Sequence, residues 1–499
     1  MDYLIILLIM VITLVLISQR SKNSLHMVQL EEYDSQNYKK WILNNKKKAY
    51  SFEKTSQPVK KPLVFTKRAT RLYIANIIIS GIILLIPSIL YLSTNQVLYI
   101  IILVALAFII YRQQPDLMYY SNVLIKPLED NINMGYYRAA QEKIKNRKDL
   151  TVIGITGSFG KTSTKFILGT ILQEKFKVLN TPESYNTPMG LSKVINNELS
   201  DEHEIFIAEM GARGIGEIKE VAELCQPKVG VLTSIGPVHL ETFKNIDNIM
   251  KTKYELIEEL PTDGVAVFNY DNEHIKKLAD KTFKEKILYA LEDIENADIY
   301  ADDIVVSELG STFTLRDKEG NSISCTTKLL GRHNIYNILA GASVAKSLGL
   351  TFEEISRGIS KIEPIPHRLN IINPGTGIVI IDDAFNSNPI GTKAALDVLS
   401  QFKEGKKIIV TPGMVELGEM EEEANREFGT NIGKVCDYVI LVGEKRTKPI
   451  YEGLMEVNYN PSNIFIVNNL EEASAHIGRL ARPKDVVLFE NDLPDNYSE

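Results

Sequence analysis

Residues 151–166 read TVIGITGSFGKTSTKF: an apolar run, a turn with glycines at 157 and 160, and then Lys161-Thr162-Ser163 heading a helix-like segment. A strand that turns sharply into a helix commits this part of the chain to an α/β layer, because the helix must fold back over the sheet. The same turn aims backbone N–H groups and the positive helix end at one place, which suits a polyphosphate. Gly157, Ser158 and Gly160 form the turn, Lys161 reaches toward terminal phosphates, and the Thr162 or Ser163 hydroxyl is placed for magnesium. The turn is shorter than the generic GxxxxGK[ST] loop, with Ile at position 155. Alone it indicates a nucleotide and no particular reaction.

From 151 onward short apolar runs alternate with helical stretches: VIGIT, EIFIAEM, VGVLTSI and VAVFN, with helices between them. This rhythm predicts a parallel sheet covered by helices. Residues 300–330 break it with alternating segments such as STFTLRD and NSISCTT, which predict antiparallel strands, followed by a helix over about 334–348. Pro364 and Pro366 mark a boundary near 365, after which GIVIID, KKIIVT, YVILVG, NIFIVN and DVVLF predict a second, Rossmann-like α/β domain. The expected plan is a membrane region at 1–112, a juxtamembrane connector at 113–150, a central nucleotide-binding domain at 151–365 and a C-terminal domain at 366–499.

The membrane expectation rests on three apolar runs, 3–17, 72–92 and 97–111, read as helices over about 3–18, 72–92 and 97–111. Asp2 precedes the first run and no small-residue cleavage site follows it, so it reads as an anchor rather than a removed signal peptide. The loop at 19–71 carries Lys46-Lys47-Lys48, Lys60-Lys61, Lys67-Arg68 and Arg71, and basic loops stay cytoplasmic. The expected arrangement is therefore multi-pass in the cell membrane, amino terminus outside, everything after Arg112 in the cytoplasm. A solvated charge run is the alternative reading of this loop, and contact with anionic lipid is a further one.

The net charge is -7, yet residues 1–71 hold 13 Lys and Arg against 5 Asp and Glu, so the remainder is acidic and lacks the basic face of a nucleic-acid binder. Cys225, Cys325 and Cys436 are widely spaced, with no CxxC pair, which argues against a disulfide framework or zinc site.

Glu209 closes the run IFIAEMGARG, where a carboxylate at a strand end can hold a metal; a solvated strand-end Glu is the alternative. His239 in TSIGPVHLETF follows a strand, as ligand or as structural histidine, and Lys253 sits in a helical stretch where a surface lysine is the default.

Together TGSFGKTST, YNTPMGLS, AEMGARGIGEI, TSIGPVHLETF, KTKYELIEEL, GRHNIYNILAGASVA, PHRLN, DDAFNSNP and GMVELGE, in this order over about 150–445, resemble the Mur ligases, and within them the D-alanyl-D-alanine-adding branch. The resemblance implies an ATP-dependent acid–amino-acid ligase of peptidoglycan synthesis. It implies that Thr162 and Glu209 hold one magnesium, that His239 helps hold a second, and that Lys253, carbamylated by CO2, is an anionic ligand. It places Asn334 and Asn337 near the adenine, with packing of its own helix as the alternative for Asn337, Arg368 on the phosphates and Asp383 on the nucleotide side of the C-terminal domain. Asn186, Thr187, Asn386 and Asn388 fall on its substrate side, and Lys161, Glu209, His239, Lys253 and Arg368 form the catalytic set. The implied partners are a carboxylate-bearing envelope precursor, an amino acid or dipeptide donor, and membrane lipids.

Three departures accompany the resemblance. Membrane runs stand where the soluble relatives have a domain that recognises a UDP-sugar, which points to a lipid-linked or polymeric acceptor, or to a partner complex at the membrane. Phe385 stands where the motif usually has Tyr. The tail VVLFENDLPDNYSE replaces a basic, glycine-containing ending, and Glu490, Asp492, Asp495 and Glu499 read as a solvated terminus or, alternatively, as a site for a cationic group. The competing functions are a poly-γ-glutamate-type polymer ligase, a membrane-tethered ATPase without a covalent product, and an inactive scaffold.

Overall fold

The structure, a computed structural model, describes residues 2–51, 62–182, 185–385 and 387–493. Lys60, Lys61, Asn386, Asp495 and Glu499 lie outside the described residues. The chain divides into two compact units, one up to Gly135 and one from Tyr136 to Leu493.

The first unit is helical: α1 Asp2–Leu30, α2 Ser35–Asn44, α3 Lys46–Tyr50, α4 Lys67–Thr94, α5 Val97–Arg112 and α6 Gln114–Asn146, whose last turns enter the second unit. The first helix runs twelve residues past the expected end at 18, because SQRSKNSLHMVQL holds no proline or glycine to stop it. It stops where Glu32 and Tyr33 turn left-handed. Its second half buries Leu25 and Val28 against Tyr38, Trp41 and Ile42 of α2, Leu72 of α4 and Met118 of α6. So the stretch read as a basic loop is largely a folded helical cap. Arg20, buried, donates to the Ser51 carbonyl at 2.5 Å and ties α1 to the end of α3.

Beside that cap, Ile6, Ile17, Leu84, Leu103 and Ile110 join α1, α4 and α5, while Leu4, Leu8, Ile82, Ile86, Ile101 and Phe108 face outward. Helices apolar inside and out match a lipid surrounding. By length and composition Ile6–Leu30 and Lys67–Thr94 can cross a membrane. Val97–Arg112, at about 24 Å, falls short of a ~30 Å hydrocarbon core, and passes only jointly with α6, from which it is bent by 80°.

Among its described residues the second unit holds two sheets. The first runs β2-β3-β1-β4-β5-β6-β7-β8-β9, with β1 Thr151–Thr156, β2 Val178–Asn180, β3 Ile205–Glu209, β4 Val229–Leu232, β5 Val265–Asn269, β6 Glu285–Ala290, β7 Ile299–Ser307, β8 Gly310–Asp317 and β9 Ser322–Thr327. Pairing is parallel from β2 to β7; β7, β8 and β9 are antiparallel and extend the same sheet instead of forming a separate insertion. The second sheet runs β10-β11-β15-β12-β13-β14, with β10 Asn370–Ile372, β11 Val379–Asp383, β12 Lys407–Thr411, β13 Tyr438–Val442, β14 Ile464–Val467 and β15 Val486–Glu490. All its pairs are parallel except β10 with β11. Buried Ile and Val on both faces, such as Ile153, Val231 and Val267 against Ile167, Ile335 and Ile338 of the covering helices, make these strands read as continuous apolar runs.

Candidate active site

The connections leave β1 toward β3 on one side and reach β4 on the other, so the chain reverses direction across the sheet at β1. Beyond the carboxyl ends of strands at such a point lies the ligand crevice of an open α/β sheet. The loop 157–160 occupies it, followed by the helix Lys161–Leu172, here α7. Gly160 caps that helix with φ +80, and a Cβ there would stand 2.6 Å from Asn337 Oδ1. A Cβ on Gly157 would stand 2.1 Å from Thr233 Oγ1. Both positions therefore require glycine.

The loop is stitched to the segment that follows β4. Ser158 N–H donates to the Ser234 carbonyl at 2.8 Å, Phe159 N–H to Ser234 Oγ at 2.8 Å, and Thr233 Oγ1 to the Phe159 carbonyl at 2.5 Å. The Ser158 hydroxyl donates to the Gly236 carbonyl at 3.0 Å. These bonds modify the expectation that the whole turn offers its N–H groups to phosphate. Ser158 and Phe159 brace the loop, and the free donors are those of the first turn of α7. Thr233 and Ser234 were missed in the sequence, where TSIG reads only as a strand end.

Lys161 Nζ folds back onto the Gly157 carbonyl at 2.7 Å, and burial lowers its pKa against the pull of the Glu209 carboxylate. Glu209 ends β3 opposite Ile155 and is buried, not solvated. Its Oε2 takes an ion pair from the fully buried Lys165 at 3.1 Å, and its Oε1 accepts from Asn186 Nδ2 at 3.1 Å. Lys165 is a third residue of this region missed in the sequence, although the α7 periodicity puts it one turn past Lys161.

His239 has a left-handed backbone, φ 47, and its Nδ1 lies 2.6 Å from Glu416 Oε2. Glu416 is itself left-handed, φ 65, so two strained residues meet across the β4 and β12 loops. Lys253 is buried in the helix Ile246–Glu258, correcting the surface-lysine default; burial, and then the charge of Lys161, push its amine down to about 7. Its ammonium position is 5.7 Å from the Phe243 ring.

Asn334 and Asn337 lie on the helix Arg332–Ser347. Asn337 Nδ2 donates to Asn334 Oδ1 at 3.1 Å, and Asn337 Oδ1 accepts from Thr164 of α7 at 3.2 Å. Asn337 thus fixes the loop from behind. Arg368 stands between two left-handed residues, His367 and Leu369, with its guanidinium 4.2 Å over the Phe385 ring. A phenyl face supplies that contact as well as a phenol would. Burial lowers the pKa of Arg368, against the opposing pull of the Asp383 and Glu209 carboxylates.

Thr187 and Asn388 spend their side-chain oxygens as helix caps, for Gly190 N–H at 3.2 Å and for Ile390 and Gly391 N–H at 3.1 and 2.8 Å. Glu490 contradicts the solvated-terminus reading: it is buried beside Asp383 and accepts from Ser387 Oγ at 2.7 Å. Burial raises the pKa of both carboxyls. Glu209 acts electrostatically on both Lys161 and Arg368, and strand pairing sets Asp383 beside Glu490. Among the described residues no group of three His, Cys, Asp or Glu side chains converges as a metal site; the set implied above contains only two, Glu209 and His239.

Residues 155–345 match the Mur ligase middle domain, and residues 367–490 match the Mur ligase glutamate ligase domain. A UDP-N-acetylmuramoyl-tripeptide–D-alanyl-D-alanine ligase of Buchnera aphidicola is 30% identical over 315 residues, 63% of this chain and 67% of that protein. The chain belongs to the Mur ligase family. The same ligase of Escherichia coli is 30% identical over 303 residues, 60% of this Mur ligase and 66% of the relative, so the chain spans a little under two thirds of that protein's length. Among solved structures, MurF of Acinetobacter baumannii has a TM-score of 0.66 at 25% identity, covering 73% of this chain and 78% of its own. MurF of Thermotoga maritima, in complex with ADP, has 0.64 at 27% identity, covering 72% and 80%.

Proposed function

We propose that this Mur ligase is an ATP-dependent carboxylate–amine ligase that adds an amino acid or a D-alanyl-D-alanine-like dipeptide to a cell-envelope precursor at the cytoplasmic face of the membrane. The observation that carries the reading is the glycine loop heading α7 at the sheet's crevice, with Glu209 at the end of the neighbouring strand held by Lys165 and Asn186. Similarity to the D-alanyl-D-alanine ligases supports the donor class. The two long apolar helices support the membrane location and favour a lipid-linked acceptor over a free UDP-sugar.

The acceptor carboxylate oxygen attacks the γ-phosphorus of ATP, the bond to the bridging oxygen breaks, and ADP leaves. The donor amine then attacks the acyl carbon, phosphate departs, and the nitrogen loses a proton. Both anionic reactants must be held in line, the task of Lys161 and Arg368. Glu416 orients His239 and leaves Nε2 as the nitrogen open for a ligand.

Magnesium suits the residues present: Glu209 is fixed by Lys165 and Asn186, Nε2 of His239 is available, and Thr162 stands at the helix start. The neutral amine that burial makes accessible at Lys253 is the form that reacts with CO2 to a carbamate, a fitting donor with His239 for a second ion, Thr162 and Glu209 serving the first. When bound, the metal would polarise the transferring phosphoryl group and offset its charge. The test is to incubate the detergent-solubilised chain with ATP, magnesium, precursor extracts and single amines. Amine-dependent ADP release with a single added mass is expected. Equal ADP release without amine favours the ATPase reading, and a ladder of masses the polymer ligase.

A further inference from the structure

We infer that the first half of α6 lies flat on the membrane surface, with a stripe of its apolar side chains seated among anionic phospholipid headgroups; this rests on the membrane reading above. Tyr120, Val123, Leu124 and Leu128 recur at the spacing of one helical face, and they are 64, 43, 68 and 54% exposed. The stripe continues to Met134. The opposite face is used inside the unit: Met118 joins the helical cap, Asn122 donates to the Tyr33 carbonyl at 2.9 Å, and Glu129 accepts both bonds of Arg71 at 2.6 Å. The helix is therefore packed on one side only.

Three further observations select a bilayer as the occupant. The 80° bend after Arg112 turns α6 across the direction of α5, so the two helices do not share one membrane normal. The outward side of α5 is likewise apolar, as far as Phe108 and Ile109. Beside it Lys126 and Asp130 are exposed on α6, Lys39 Nζ lies 5.4 Å over the Tyr119 ring, and exposed Lys40, Lys46, Lys47 and Lys48 on the cap make the surroundings net cationic. Aromatic rings with lysines at their edge fit the headgroup layer, and the lysines fit anionic lipid.

The experiment uses the full chain in vesicles of phosphatidylcholine and phosphatidylglycerol, with an environment-sensitive fluorophore on Leu124→Cys, Leu128→Cys, Ile82→Cys or Asp201→Cys. The native cysteines are buried. Quenching by shallow spin-labelled lipid of at least twofold at 124 and 128, quenching by deep label at 82, and none at 201 are expected. Quenching at 82 without 124 and 128 overturns the flat helix and leaves the membrane reading standing. No quenching at any of the three overturns both. Labels at 124 and 128 shielded from aqueous iodide but untouched by lipid quenchers would assign the stripe to a protein or a second copy, and also overturn the inference.

Discussion

Glu490 ends β15 opposite Asp383 of β11, and two carboxyls buried side by side retain a proton that the unfolded chain gives up. Burial carries Asp383 up to about 6. A raised carboxyl pKa adds stability that is full below the ordinary carboxylate range and is lost as pH rises through the folded value. Glu490→Gln removes the share of that dependence carried by Glu490 itself and keeps an acceptor for Ser387. Thermal unfolding of the variant, relative to the parent, should improve by about 1–2 kcal/mol between pH 4 and pH 7; an unchanged difference contradicts the pair. At Lys253 the sign is opposite, because lowering through about 7 leaves the neutral amine to form carbamate as pH rises. With 13C-labelled CO2 the carbamate signal should grow from pH 6 to pH 8 and vanish in Lys253→Ala. Turnover of that variant should fall by about 100-fold or more, with partial recovery on adding short carboxylates. Residue types were legible in the sequence, and burial was not. Glu490 read as solvent-facing because it sits near the chain end, and Lys253 as surface because helical lysines usually are; both are decided by neighbours far away in the chain.

The strand–loop–helix element was legible because glycines, lysine and apolar periodicity all lie within sixteen residues. Its bracing was not, since the segment 233–236 arrives from about eighty residues later. β2 has only three residues, too few to show a period, and α1 overran its expected end because nothing local stops it. Gly160→Ala tests the element. A left-handed φ with a non-glycine residue costs about 1–2 kcal/mol, and the new Cβ presses on Asn337 Oδ1. Nucleotide affinity by calorimetry should fall about tenfold or more, with little change in the α/β circular dichroism. Unchanged affinity would mean that the loop does not hold phosphate.

At the scale of the molecule, the order of α/β runs from 151 onward revealed both sheets, because period and glycine turns are written locally. The helical first unit was legible as apolar runs, while the folded cap formed by α1, α2 and α6 depends on contacts that no single window contains. The central claim is that one crevice joins a carboxylate to an amine through phosphoryl transfer. With an 18O-labelled acceptor carboxylate, ATP and the donor amine, the account predicts one labelled oxygen in each phosphate released. Phosphate without label would show that water, not the acceptor, receives the phosphoryl group, and would contradict ligation.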